Sequence, residues 1–396
     1  MAEPIRDGWV RTDNGRVVGV GTHQAQPVPG RGSGEEIELG SVAVLPGLVN
    51  AHSHLELSWM RGLIGSQQRF PAWIRAVIGE RRAGPAGGQS AIRRSILEGI
   101  DECIRCGTVL VGDVSNTGET SEPLAASKLH AVIFRELIGF NAHRAASLVE
   151  QAMTELVNQT RVPNVRMTLA AHAPYSVSPA LFRAIKQTGR AHGVMPCSVH
   201  LGESREELTF LEQGGGPWQG LLEELDAWDP TWVAPGCDPV EYLDQIGFLD
   251  DRLLCVHGVH LDAVALGRLA SRGATLVTCP RGNRLTGAGS PPIQAFYDSG
   301  LRVAVGTDSL ASVPDLNVFS ELAEMRRLAP DVPAHTLLES ATLQGARALG
   351  WADEFGTIEI GKQAALIAVS VPSHVTNVEQ YLVGGIEPEH VRWIET

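Results

Sequence analysis

The chain has 396 residues, 43% hydrophobic and 19% charged, which is ordinary globular composition. A formal net charge of −13 and a pI near 5.5 argue against nucleic acid or an anionic membrane as the main partner and leave neutral or cationic small molecules open. No apolar run approaches the roughly 20 residues that span a bilayer. The first seven residues, with Glu3, Arg6 and Asp7 among them, hold no apolar core of a secretory signal. Six cysteines in a chain of this length are not a disulfide framework, so the expectation is a reduced, cytoplasmic protein.

Residues 1–44 read as short β segments, with a turn signal at Asp13-Asn-Gly15 and a glycine-punctuated strand from Arg16. The next stretch, Leu45-Pro-Gly-Leu-Val-Asn-Ala-His52-Ser-His54-Leu-Glu56, is the first strongly buried strand and ends in two histidines at i, i+2. On a strand that spacing puts both imidazoles on one face, which is half of a zinc site; a chance His-x-His is the bland alternative. Helical patterns begin at Pro71 and again over 91–104, separated by a Gly-rich break at 84–88. Cys103 and Cys106 close the second pattern as Cys-x-x-Cys. With no second pair at zinc-finger spacing, they read as structural. Cys197, Cys255 and Cys279 sit inside apolar runs as small buried hydrophobes.

From there the chain alternates. Apolar, β-branched runs occur at 108–114, 130–136, 165–172, 195–200, 253–257, 274–279 and 301–308, and helical patterns at 145–157, 179–192, 262–271 and 293–299 separate most of them. With the 45–56 stretch this makes eight strands that read as continuous apolar runs, the mark of buried parallel strands. The expected fold is α/β, a (β/α)8 TIM barrel. A helical stretch over 334–349 follows, then strand-like 356–361 and 364–370. The N- and C-terminal β segments are expected to meet in a small β-sandwich domain. The expected division is 1–44 and 351–396 for that domain and 45–350 for the barrel. Between the fifth and sixth strands, 203–250 is a long insertion, read as a lid or substrate wall against the alternative of a surface elaboration.

The polar residues fall where the active sites of such barrels lie, at the C-terminal strand ends: His52, His54, Glu136, His172, His200, His257 and Asp308. Five of the 13 histidines are in this group, and that concentration makes a metal site the expectation. Catalytic zinc takes about three protein ligands and a water whose pKa drops to about 7. His52, His54 and His200 with Asp308 supply four ligands. Asp308 is also placed to accept a proton from the water. Glu203, three residues after His200, is placed to shuttle a proton, and His257 to polarise or orient the hydroxide. Their bland readings are a surface carboxylate and a core histidine. His260 reads as structural. Trp59, Phe70 and Trp73 are candidate substrate walls or ordinary core aromatics. One divalent metal ion is expected, zinc before iron, since imidazole and carboxylate suit both. Oligomeric state, including a homo-oligomer, stays open.

These pieces resemble the amidohydrolase superfamily, in its mononuclear branch of nucleoside and aromatic-base deaminases and s-triazine chlorohydrolases. The resemblance runs from Gly15 to the C-terminus, on Pro46-Gly-Leu-Val-Asn-Ala-His-Ser-His54, His172-Ala-Pro-Tyr-Ser176, His200-Leu-Gly-Glu-Ser204, Val256-His-Gly-Val-His260, Cys279-Pro-Arg-Gly-Asn283 and Val305-Gly-Thr-Asp-Ser309. It implies metal ligation by His52, His54, His200 and Asp308, a catalytic His257 close to the metal, Glu203 as proton shuttle, and His172 as a substrate contact. Glu136, Trp59 and Trp73 are further candidate substrate contacts. The bridging lysine of binuclear barrel hydrolases has no counterpart, since Lys128, Lys186 and Lys362 all lie away from strand ends. His54-Leu-Glu-Leu-Ser58 and the segment from Gly215 to Leu225 look most similar to aminofutalosine deaminase-like proteins, with S-adenosylhomocysteine/methylthioadenosine deaminases close by. Two departures stand out. Gly282 replaces the usual serine, and members usually carry one or two more strands before Ile5, so a short sheet domain or a truncated start is expected. The implied activity is metal-dependent hydrolytic deamination of an adenine-type nucleoside or related aminated heterocycle. Alternatives are an s-triazine-type chlorohydrolase or amidohydrolase, a cytosine- or guanine-type base deaminase, and a catalytically silent metal-binding barrel.

Overall fold

Asn14 and Gly15 take left-handed backbone angles (φ 48° and 72°) and close a hairpin of β1 (Gly8–Asp13) and β2 (Arg16–Thr22). Two-residue turns of this hand match the twist of the strands they join. The computed structural model describes residues 4–22, 35–66, 69–158, 162–194 and 196–395. Met195, where the fifth predicted strand opens, and 1–3 and 23–34 of the N-terminal segment lie outside the described residues.

The stretch 45–56 is two strands, not one. β3 (Val42–Pro46) pairs antiparallel with a strand near the other end of the chain, and β4 (Leu48–Ser53) opens the barrel. Gly47 makes the switch because a Cβ there would stand 2.7 Å from the Cβ of Val109. β4 is followed in the barrel by β5 (Thr108–Ser115), β6 (His130–Leu137), β7 (Val165–Ala171), β8 (Cys197–Leu201), β9 (Leu253–His257), β10 (Thr275–Thr278) and β11 (Arg302–Val305). All eight run parallel in sequence order. The ring is drawn shut between its first and last strands, where Ser53 bridges Asp308 and the Asp308 N–H donates to the His52 carbonyl at 3.0 Å. A Cβ at Gly306 would stand 2.6 Å from the His52 carbonyl oxygen, so closure at this point requires glycine.

Side chains alternate along these strands between two buried sets. In β9, Leu254 and Val256 pack with Val49, Val132, Phe134, Val277 and Ala304, while Leu253 and Cys255 join the larger cluster against the surrounding helices. Each such buried aliphatic side chain contributes about 1.5–3 kcal/mol.

β12 (Leu366–Ser370) lies between β3 and β13 (Val391–Trp393) in a three-stranded antiparallel sheet. Segment 356–361 forms turns rather than the expected strand. It is tied to the hairpin by the Arg16–Gln363 bridge and by the Gly361 N–H donating to Val17 O. The helical stretch expected over 334–349 is two helices, Ala334–Ser340 and Leu343–Ala348, broken at Thr342. The insertion after β8 holds three helices, Arg205–Gln213, Gly216–Glu224 and Pro239–Gln245. No described helix is long and apolar enough to cross a membrane.

Candidate metal centre

His52 and His54 leave the end of β4 with their Nε2 atoms 3.2 Å apart. His200, near the end of β8, brings its Nε2 to 3.4 Å from that of His54. Asp308 Oδ1 stands 3.8 Å from His52 Nε2 and 3.6 Å from His54 Nε2. Ligand atoms arranged tetrahedrally about 2.0–2.1 Å from a common centre are roughly 3.3 Å apart, so these separations suit a small cation. The donor chemistry agrees. His200 Nδ1 lies 2.9 Å from the His172 carbonyl, which can only accept, so Nδ1 carries the proton and Nε2 keeps its lone pair. Asp308 Oδ2 accepts from Ser312 Oγ at 2.9 Å, leaving Oδ1 turned to the histidines. Burial first, and the neighbouring imidazoles second, hold His52 well below the usual histidine range and His54 at about 3, so both are neutral donors. Burial lifts Asp308 to about 6. The set His52, His54, His200 and Asp308 fits a divalent metal.

His257 and Asp308 have positive φ, 82° and 63°. His257 shares strand parity with Leu253 and Cys255, whose side chains pack outward. The left-handed turn at its own position breaks that alternation and brings its ring within 5.3 Å of the His200 ring. Such conformations cost of order 1–3 kcal/mol and persist where surrounding packing imposes them. His257 Nε2 faces Glu203 Oε1 at 3.5 Å, and its Nδ1 lies 2.9 Å from Asn283 Nδ2.

Glu203 is 4% exposed, and burial, then the charges of Asp308 and Glu207, push its carboxyl well above the usual range. Its backbone is clamped from below. Ser204 caps the helix Arg205–Gln213, and the buried Glu207 carboxylate reaches back to accept from the N–H groups of Gly202 (2.9 Å) and Glu203 (3.1 Å). This is a capping box displaced toward the active turn.

On the other side, Glu136 at the end of β6 accepts from Asn116 Nδ2 at 2.7 Å through Oε2, while its buried Oε1 has no partner and lies 3.5 Å from His200 Nδ1. Asn116 is fixed in turn: its N–H donates to the Glu56 carboxylate and its Oδ1 accepts from Arg81 Nη1 at 2.7 Å. Glu56 is buried and fully engaged, accepting from Ser115 Oγ, Thr117 and Arg81 as well. His172 Nδ1 lies 2.6 Å from Ser176 Oγ, and His172 forms with Glu136 and His200 a further group whose ligand atoms lie within 4.8 Å of one another. Trp73 is 7% exposed and stacked on Phe70, and the half-buried Trp59 packs on the same core. Tyr175 stands edge-on to His172 at 5.7 Å and stacks at 3.8 Å on Trp218 from the insertion. A Cβ at Gly282 would sit 3.2 Å from Asp308 Oδ2 and 3.5 Å from Ser312 Oγ, so glycine leaves the space in which Ser312 reaches the aspartate.

Sequence reading did not single out Asn116, Arg81, Glu207, Asn283 or the Tyr175–Trp218 pair as functional. Ser204-x-x-Glu207 carries a capping signature, and Asn283 closes a motif already noted. Asn116 and Arg81 carry no local signal, because their roles arise from contacts with Glu56 and Glu136 across the fold.

The amidohydrolase family model matches residues 43–386. A 5-methylthioadenosine/S-adenosylhomocysteine deaminase from Halobacterium salinarum is 30% identical over 394 residues, covering 96% of this chain and 84% of the relative. An aminodeoxyfutalosine deaminase from Deinococcus radiodurans is 32% identical over 326 residues, covering 79% and 75%. The crystal structure of Helicobacter pylori aminofutalosine deaminase in complex with methylthio-coformycin superposes with a TM-score of 0.84 at 26% identity, covering 99% of this chain and 93% of that one. The barrel, the converging histidines and aspartate at its C-terminal end, and a family match over most of the length make this chain a member of the amidohydrolase family.

Proposed function

We propose that the protein is a hydrolytic deaminase that releases ammonia from an adenine-type nucleoside or a related aminated heterocycle, an aminofutalosine-like compound first among them. The observation that carries this reading is the place of Glu203: a buried carboxyl 3.5 Å from His257, beside the cradle of His52, His54, His200 and Asp308. Relatives named as deaminases of adenine-bearing compounds support it. When bound, a divalent cation held by His52, His54, His200 and Asp308, zinc before iron, supplies Lewis acidity that makes water a nucleophile near neutral pH. The residues do the rest. Glu203 gives its proton to the ring nitrogen beside the amine-bearing carbon as water adds there. Asp308 takes the proton water gives up. Glu203, now a carboxylate, takes the proton of the added hydroxyl while Asp308 gives its proton to the amine; the C–N bond breaks, ammonia leaves and a ring carbonyl remains. His257 stabilises the charge that develops on oxygen. His172 and Glu136 are the proposed base or sugar contacts, and Trp59 and Trp73 the proposed outer walls. The substrate is a small molecule, and a cytoplasmic location goes with that role. Residues 45–350 are the proposed catalytic unit, with 1–44 and 351–396 as its companion β domain.

Ammonia release from a panel of adenosine, methylthioadenosine, S-adenosylhomocysteine and aminodeoxyfutalosine, with zinc-loaded protein, tests the reading. Turnover of at least one is expected. Turnover of chlorinated or N-alkylated triazines alone would move the assignment to a C–X hydrolase. Metal binding without turnover, indifferent to Glu203→Gln, would mark a silent barrel.

A further inference from the structure

Two histidines at the site make opposite second contacts. Behind His200 Nδ1 is a carbonyl, which accepts only. Behind His257 Nδ1, 2.9 Å away and fully buried, is the amide nitrogen of Asn283, which donates only. We propose that Asn283 is a positioning residue that holds His257 in the tautomer with its proton on Nε2. His257 thereby faces the metal cradle as a hydrogen-bond donor and is kept from becoming a further nitrogen ligand. This rests on the deaminase reading for its catalytic consequence but not for the tautomer itself.

Three features agree. Across from His257 Nε2, at 3.5 Å, is Glu203 Oε1, a carboxyl oxygen able to accept from an N–H there. A donor at 2.9 Å behind Nδ1 leaves no place for a proton on that nitrogen, so the ring's proton belongs on Nε2. His52, His200 and His257 also form a group whose ligand nitrogens all lie within 4.8 Å of one another, so geometry alone would admit His257 as a ligand. Something must distinguish it from His200, and the second contact does. Asn283 sits on the short helix Pro280–Leu285, its N–H bonded to Cys279 O and its own carbonyl accepting from Gly289 N and Thr286 Oγ1, so the backbone from which its side chain reaches His257 is fixed. A ligand histidine gives its second N–H to an acceptor; His257 receives a hydrogen bond there instead.

The test uses full-length protein labelled with 15N at histidine. Long-range 1H–15N correlation reads which His257 nitrogen carries the proton, in the metal-free and zinc-loaded forms. Wild type is expected to show Nε2–H in both. In Asn283→Asp the carboxylate accepts from Nδ1–H, moving the proton and freeing the Nε2 lone pair. That variant is expected to bind zinc more tightly and to change the visible spectrum of its cobalt-substituted form as coordination rises. It should also lose kcat by about 100-fold with KM little changed. Asn283→Leu, which removes the contact without reversing it, is expected to show a mixture of tautomers and an intermediate kcat. A proton on Nδ1 in the wild type, or the same tautomer in wild type and Asn283→Asp, overturns the proposal. If no aminated heterocycle turns over, the deaminase reading fails while the tautomer and cobalt readouts still decide this one.

Discussion

The two ends of the barrel use the same residue types to opposite effect. At the N-terminal end, His130 opens β6 with its ring 5.1 Å from Trp351 and 4.6 Å from Phe355. Arg166 at the start of β7 lies 3.7 Å over the Trp351 ring and donates to the Gly350 carbonyl. Trp351 and Phe355 are buried with Val132, Phe134 and the other residues filling the barrel. At the C-terminal end, His52, His54, His200 and His257 crowd nitrogen against nitrogen, and two backbones are left-handed. Every one of those features costs stability. One end of the barrel closes it, and the other presents donors and acceptors to a metal and a substrate. A histidine is informative here by the end of the strand it occupies, not by its presence.

That contrast can be broken most severely by emptying the cradle. Chelation is expected to abolish turnover, and His200→Ala to weaken metal binding by at least about 100-fold, as metal analysis after dialysis would show. Retained stoichiometric metal in His200→Ala would remove this residue from the ligand set. Next in size, Glu203→Gln keeps the metal but lowers kcat by about 10²–10⁴-fold, the usual contribution of a general acid–base group. Unchanged steady-state kinetics would return Glu203 to a structural role. The opposite end should behave in reverse. Trp351→Ala is expected to cost about 3–5 kcal/mol of stability by leaving a cavity beneath the barrel, measured by denaturant unfolding, while metal content and kcat stay near wild type. A kcat loss as large as that of Glu203→Gln would mean the two ends are not separable.

How much of this was legible beforehand follows from the physics of each element. The barrel was readable because eight buried parallel strands leave continuous apolar runs, and the metal cradle because chemistry-bearing residues fell at the same end of each. That Glu203 lies at the same end followed from its place three residues after His200. The split at Gly47 was not, since β3 and β4 form one unbroken apolar run and only the clash a Cβ would make with Val109 divides them. Segment 356–361 looks like a strand because Ile358 and Ile360 alternate with polar residues, yet its backbone meets the hairpin through the Gly361 N–H to Val17 O rather than through a ladder. The left-handed backbone of His257 leaves no trace in sequence, because positive φ is uncommon for any residue but glycine and no turn signature at His257 calls for it. Glu136 was legible as a strand-end carboxylate. The Asn116–Arg81–Glu56 relay that orients it was not, since it joins residues 20 to 60 positions apart.

His130 gives the smallest expected effect and the sharpest contrast with the site histidines. Its Nδ1 is buried without a partner, and its ring packs among aromatics. Burial lowers its pKa below the ordinary 6.5, so the folded state holds the ring neutral more firmly than the unfolded chain does. Below pH 6.5 the unfolded chain therefore binds more protons, and this histidine's share of stability, complete above 6.5, is lost as pH falls toward its folded pKa. His130→Phe keeps the ring, deletes the orphaned nitrogen and removes that titration. Stability at pH 7.5 should change by less than about 1 kcal/mol in either direction, and the fall in melting temperature between pH 6.5 and 5 should be shallower than in the wild type. kcat and metal content should not move. A phenylalanine at His200 or His257 has no such option, because there the ring nitrogens themselves, and not the ring's shape, are what the fold was strained to present.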